Sequence, residues 1–202
     1  MMKKRLTSLA LSAMMVLSMV PATAFAAKDA GTPPTYNSAT GCYEISTPAQ
    51  LLYLAGKWKD GAPRDGHYVL TADIDMTGVK GFKPIASKKA EGFTGTFDGQ
   101  FHSIKGLRVE YEKKYAGLFG YVGNQNDQAY IKNVALLDCY VTGQQNVGAL
   151  AGVNYGTITD CVVTGEVKCL DLSNSHTAGG ICGKLKEGEG PIVGHVEDCY
   201  VN

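Results

Sequence analysis

Charge of one sign is the first thing this 202-residue sequence lacks: 19 Lys and Arg stand against 19 Asp and Glu. No basic run interrupts that balance, and without clustered cations to displace counterions no nucleic-acid partner is expected. Histidine is scarce, and His67, His102, His176 and His195 lie in separate segments at no metal-ligand spacing. No G-x-S-x-G, H-E-x-x-H, C-x-x-C or glycine-rich phosphate loop occurs, so the local signatures of nucleophilic, zinc, dithiol and nucleotide sites are all missing. No catalytic residue and no cofactor can be named from motifs. After the first residues there is also no apolar run long enough to span a bilayer.

The one long apolar stretch sits at the start. Lys3, Lys4 and Arg5 precede an apolar Leu9 to Val20, and Ala24-Phe25-Ala26 offers small residues where a signal peptidase reads. This three-part form is a secretory signal peptide over residues 1–26, with cleavage expected after Ala26 and Ala24 as the neighbouring alternative. Its removal leaves three more acidic than basic side chains and a chain expected in the secreted or cell-surface space. Residues 27–42, rich in Pro, Gly, Thr and Ser, read as a flexible leader, and residues 43–202 as one domain.

Within that domain a small-residue phrase is written three times. Ala116-Gly117-Leu118-Phe119-Gly120 returns as Gly148-Ala149-Leu150-Ala151-Gly152 and again as Gly179-Gly180-Ile181-Cys182-Gly183, at spacings of 32 and 31 residues. Such a period signals stacked structural units. Before it, Thr47-Pro48-Ala49-Gln50 carries a helix start, with Thr47 as N-cap and Gln50 as its capping-box partner. A helix over about 47–58 is expected to cap the stack, with Trp58 anchoring it. His67 to Met76 alternates apolar and polar like a single strand, and Cys161 to Cys169 does the same. Short strands, a glycine at every bend and no room for crossover helices leave a β-sandwich or a parallel β-helix. The recurrence of one residue type at one place favours the second, because stacked coils turn identical positions into ladders. Two registers compete for the first copy: Asp138-Cys139 matches Asp160-Cys161, but so does Asn133-Val134.

The order Ile45-Ser46-Thr47-Pro48-Ala49-Gln50-Leu51, Ala72-Asp73-Ile74-Asp75-Met76, Phe93-Thr94-Gly95-Thr96-Phe97-Asp98-Gly99, then Gly117-Leu118-Phe119-Gly120 with its two echoes, resembles the bacterial extracellular proteins with GLUG-type repeats. That resemblance implies an all-β, right-handed parallel β-helix on a secreted or surface protein. It brings no catalytic residue set. Cys182 and Ala151 depart from the aliphatic residue usual at their places.

The remaining candidates are few. Asp138, Asp160 and Asp198 would form a carboxylate column in the Asp-Cys register, a conceivable Ca²⁺ site, although Asx-turns at strand entry are the reading we prefer. Tyr140 and Tyr200 are expected to face outward at matching places with Val162 between them, where they could stack on sugar rings. Cys139, Cys161 and Cys199 are expected to form a buried thiol ladder. Strand spacing is about 4.8 Å, a little beyond the roughly 3.5 to 4.5 Å between Cβ atoms of a disulfide. These features point to a structural, adhesive or glycan-binding module, with glycans or host and cell-surface proteins as partners. The alternative is a polysaccharide lyase or glycoside hydrolase assembled across coils. Because the third copy stops at Val201-Asn202, an open lower edge and edge-to-edge self-association are also expected.

Overall fold

The computed structural model describes residues 31–56, 62–171, 177–186 and 194–202. Strand β1 (Thr35–Asn37) turns back antiparallel into β2 (Cys42–Ile45), which leads to helix α1 (Pro48–Gly56). Every other strand pairing among the described residues is parallel.

From α1 onward the chain visits three sheets repeatedly in one order. The first passage places β3 (His67–Leu70) in the first sheet and β4 (Ile74–Asp75) in the second, then brings Ile85 to the edge of the third, where it bridges Phe119. The next runs through β5 (Thr96–Asp98), then β6 (Ser103–Lys105) and β7 (Arg108–Ala116), then β8 (Phe119–Val122). A third uses β9 (Tyr130–Lys132), the long β10 (Ala135–Gly148) and β11 (Ala151–Asn154). A fourth uses β12 (Thr157–Thr159), β13 (Val162–Cys169) with β14 (Ala178–Gly179), and β15 (Cys182–Leu185). Finally β16 (His195–Glu197) and β17 (Tyr200–Val201) return to the first two sheets. The resulting orders are β1-β2-β3-β5-β9-β12-β16, β17-β13-β10-β6-β4 and β15-β11-β8.

Parallel pairing in register turns sequence alternation into columns. Tyr43, Tyr68, Phe97, Ile131, Ile158 and Val196 stack in the first sheet. Ile74, Ile104, Leu136, Val163 and Val201 stack in the second, and Phe119, Ala151 and Cys182 in the third. These columns meet in one core, into which α1 inserts Leu51 and Leu54 beside Ile45. The core is aromatic near α1, where Phe119 packs 5.1 Å from Phe93 and 5.4 Å from Phe97 between ring centres. It thins towards β17, where Val201 is exposed.

The helix start follows the expected chemistry with one shift. The Gln50 amide donates to Thr47 Oγ1 at 3.3 Å, but Gln50 Oε1 accepts from the Ser46 amide at 2.8 Å rather than from that of Thr47. The expected extension to residue 58, and Trp58 itself, lie outside the described residues. The alternation from His67 to Met76 is not one strand. It breaks into β3 and β4, because the chain turns from the first sheet to the second between Leu70 and Ile74 while keeping both buried.

The corners explain the repeated phrase. At the turn from the second sheet into the third, Tyr115 and Asn146 adopt left-handed φ values of 69° and 51°, and Ala86, just after the Ile85 bridge to the third sheet, has a φ of 54°. Each lies against the last glycine of the phrase in the following passage. A Cβ on Gly120 would come 2.6 Å from Ser87 Cα, on Gly152 2.7 Å from Tyr115 Cα, and on Gly183 2.5 Å from the Asn146 carbonyl carbon. These glycines serve close approach of two backbones, since none of the three has a left-handed φ of its own.

Candidate functional site

The turn from the first sheet into the second decides between the two sequence registers. Ile131 pairs with Ile158 and Ile158 with Val196, which puts Asn133, Asp160 and Asp198 at one corner with φ values of 55°, 52° and 48°. Asp138 is not in that column. It sits at an irregularity of β10, between Leu136, which pairs with Val163, and Cys139, which pairs with Gly165. Its amide donates to Thr164 Oγ1 at 2.9 Å and its carboxylate lies 3.8 Å from Lys105 Nζ. The column of Asp138, Asp160 and Asp198 is therefore not formed, and among the described residues no three His, Cys, Asp or Glu side chains gather as a metal site.

The same shift divides the cysteines. Cys161 and Cys199 occupy neighbouring rungs, as shown by the bond from the Tyr200 amide to the Cys161 carbonyl at 2.9 Å, whereas Cys139 is displaced with Asp138. All six cysteines are free thiols. Burial pushes the Cys139 thiol up to about 11 and the Cys161 and Cys182 thiols up to about 12, which removes them from thiolate chemistry at neutral pH.

Tyr140 and Tyr200 do not match either. Tyr200 on β17 pairs with Val162, is exposed, and lies on the outermost rung of its sheet. Tyr140 lies between Arg108 and Glu166 on the outer face of the second sheet. The Arg108 guanidinium sits 4.3 Å from its ring centre and Lys168 Nζ 5.5 Å. Arg108 is itself held by Glu110 at 2.7 Å, and Lys168 by Glu166 at 2.6 Å. Cations thus already engage the Tyr140 π-face, and the ring is not an open platform for a sugar.

Beside this strip lies an open groove of about 1150 Å³. Lys83, Ser87 and Lys88 line it from the passage before β7. Glu110 to Tyr115 line it from β7, Tyr140 and Thr142 from β10, and Leu170 from the end of β13. Tyr115 packs its ring 4.7 Å from that of Tyr121, whose phenol is pushed up by burial and then by its hydrogen bond with Tyr115. Sequence reasoning missed this groove. Its only local trace is the Lys113-Lys114 pair between two tyrosines, because the other cations, Lys83 and Lys88, belong to a separate passage.

The molecule is an all-β protein whose parallel strands fill three sheets in rotation. Residues 143–168, from within β10 through the second copy of the phrase to β13, match the family described as the GLUG motif. The chain thus carries a GLUG motif. It is 33% identical over 142 residues to halomucin of Haloquadratum walsbyi, a match covering 63% of this chain and 2% of that protein. It is also 34% identical over 130 residues to a provisionally named Gly-rich membrane protein of Evansella cellulosilytica, covering 60% of this chain and 14% of the relative. The fold is similar to a crystal structure from Bacteroides ovatus provisionally named an immunoglobulin A1 protease. That likeness has a TM-score of 0.64 and 22% identity, and covers 87% of this chain and 50% of the other. The chain thus spans a small part of the curated relatives it matches. Among the described residues no helix is long and apolar enough to cross a membrane.

Proposed function

We propose that the chain is an extracellular module folded as a right-handed parallel β-helix, with a structural or adhesive role at the cell surface. The observation that carries this reading is the rotation through three sheets, passage after passage, with side chains stacked in register. Such a stack presents broad ridged outer faces while its interior is filled by Leu, Ile, Val and Phe. The right hand follows from the strong preference for right-handed connections between parallel strands. The basic-apolar-small start of the sequence supports export. The names of the relatives, a mucin-like one and a membrane protein, fit a place in a larger surface assembly.

Export is tested by expressing the full chain in a bacterium and sequencing the N-terminus of the protein recovered outside the cytoplasm. A mature chain beginning at Ala27 is expected, and an uncleaved chain retained inside overturns the reading. A structural or adhesive role is tested by incubating the protein with plant, mucin and bacterial glycans while following binding and reducing-end release together. Binding without release is expected, whereas release would make it an enzyme.

A further inference from the structure

The groove beside β7 gathers cations that the fold itself does not neutralise. Lys83 enters it from one passage, and Lys113 and Lys114 from the next. Among the described residues none of these three has an ion-pair partner. Of the two carboxylates in the lining, Glu110 is already held by Arg108 at 2.7 Å, which lowers its proton affinity through that hydrogen bond. Glu112 remains as an exposed acceptor. Tyr111 and Tyr115 are half-buried in the wall, so their rings are fixed at little further entropic cost. Tyr115 holds its left-handed backbone at φ 69°, a conformation that a bulky residue adopts only when its surroundings enforce it.

Glu110 to Tyr115 line the groove along β7 for about 16 Å at roughly 3.3 Å per residue, and the lining from the neighbouring passages gives it a width of about 14 Å at a strand spacing of about 4.8 Å. That shape suits a chain rather than a single small molecule. Its chemistry narrows the chain further. Unpaired ammonium groups call for anions, fixed aromatic rings for flat apolar faces, and an acidic acceptor for hydroxyl donors. A nucleic acid has no use for Glu112 beside its phosphates, and a metal ion has none for the lysines.

We propose that this groove binds an acidic polysaccharide laid along β7, with its carboxylates on Lys83, Lys113 and Lys114, its hydroxyls on Glu112, and its ring faces against Tyr111 and Tyr115. This rests on the extracellular reading above, where such polymers are found, and gives that surface a ligand class.

The probe is polygalacturonate, titrated calorimetrically into the full chain, with neutral dextran and poly-glutamate alongside. Polygalacturonate binding that weakens as salt is raised is expected, with dextran not bound and poly-glutamate bound at least about tenfold more weakly. Single exposed ion contacts are modest, so the triple change Lys83→Gln, Lys113→Gln, Lys114→Gln should weaken binding about tenfold or more, while Lys184→Gln on β15 leaves it unchanged. All these lysines are exposed, and unchanged melting of both variants confirms that folding is not what was altered. Equal affinity for poly-glutamate overturns the sugar assignment, and binding that survives the triple change overturns the groove. Absence of polygalacturonate binding with normal export overturns this inference alone, and failed export overturns the extracellular reading on which it stands.

Discussion

Gly152 lies with its Cα against the backbone of Tyr115, so close that a Cβ would sit 2.7 Å from both the Tyr115 Cα and carbonyl carbon. The contact is between main chains of successive passages, and no rotamer change can relieve it. Gly183 against Asn146 repeats the arrangement one passage later, and Gly120 meets the Ser87 backbone with comparable closeness one passage earlier. The repeated glycine therefore sets how closely one passage can nest in the next at this corner.

Gly152→Ala should accordingly destabilise the protein by about 2 kcal/mol, the range of an overpacked core in which backbone must shift. Thermal melting followed by circular dichroism reads it. A control at Asn126, exposed and outside any strand, should leave the midpoint unchanged when changed to Ala. A Gly152→Ala protein as stable as wild type would show that the corner has slack the packing does not suggest.

Much of the architecture was legible because it follows from local rules. The Thr47-Pro48-Ala49-Gln50 start, the alternation from Cys161 to Cys169 and the glycine phrase each report a backbone geometry set within a few residues. What misled was equally local. Asp138, Asp160 and Asp198 all precede Cys and all adopt left-handed φ values of 52°, 52° and 48°, so they look alike in sequence because they are alike in conformation. Register is a non-local property. It is set by the pairing of Ile131, Ile158 and Val196, which moves Asp138 into the middle of β10 and puts Asn133 in its place. The groove was illegible for the same reason, since only stacking brings Lys83 beside Lys113 and Lys114.

That register makes a prediction about thiol reactivity. Cys139 and Cys161 are buried and their thiols are pushed up to about 11 and about 12, chiefly by desolvation. Cys42 is half-buried near the N-terminal turn and Cys169 lies at the end of β13. Brief treatment of unreduced native protein with iodoacetamide, followed by peptide mass spectrometry, should label Cys42 and Cys169 and leave Cys139 and Cys161 unmodified. Adding denaturant without reductant should then expose all six to alkylation. Any cysteine that stays unmodified until a reductant is added would instead be disulfide-bonded.

The outermost rungs also carry a prediction. Leu185, Tyr200 and Val201 on β15 and β17 are 52%, 60% and 48% exposed, and Val201 occupies an inward column beneath Val163. Unpaired strand edges with apolar side chains recruit further strands, and an inward charge is an effective block. Light scattering at rising concentration should show association of the chain, suppressed by Val201→Lys with the bulk of the strand signal retained. Association undiminished by that change would place the contact elsewhere.

Acid sensitivity should trace in part to Asp98. Burial raises its carboxyl, but hydrogen bonds outweigh that effect. Asn133 Nδ2 donates at 2.9 Å, the Gln100 amide donates at 2.8 Å, and Lys132 Nζ lies 3.3 Å away, so the group ends below its ordinary value of 3.8. A depressed native value means that the unfolded chain takes up the proton more readily. The stabilisation is therefore complete above the unfolded value and is lost as pH falls through the native one. Asp98→Ala should lower the melting temperature at about pH 7 by an amount that stays level down to about pH 5 and shrinks towards zero below the ordinary carboxylate value. The difference between the two proteins is the quantity to follow. Asp73 and Asp75 are also held low, by the Ser103 amide and by Thr77 respectively, and contribute to the acid unfolding of both. A difference that persists unchanged into the acid transition would mean that Asp98 stabilises the corner through its shape and not through its charge.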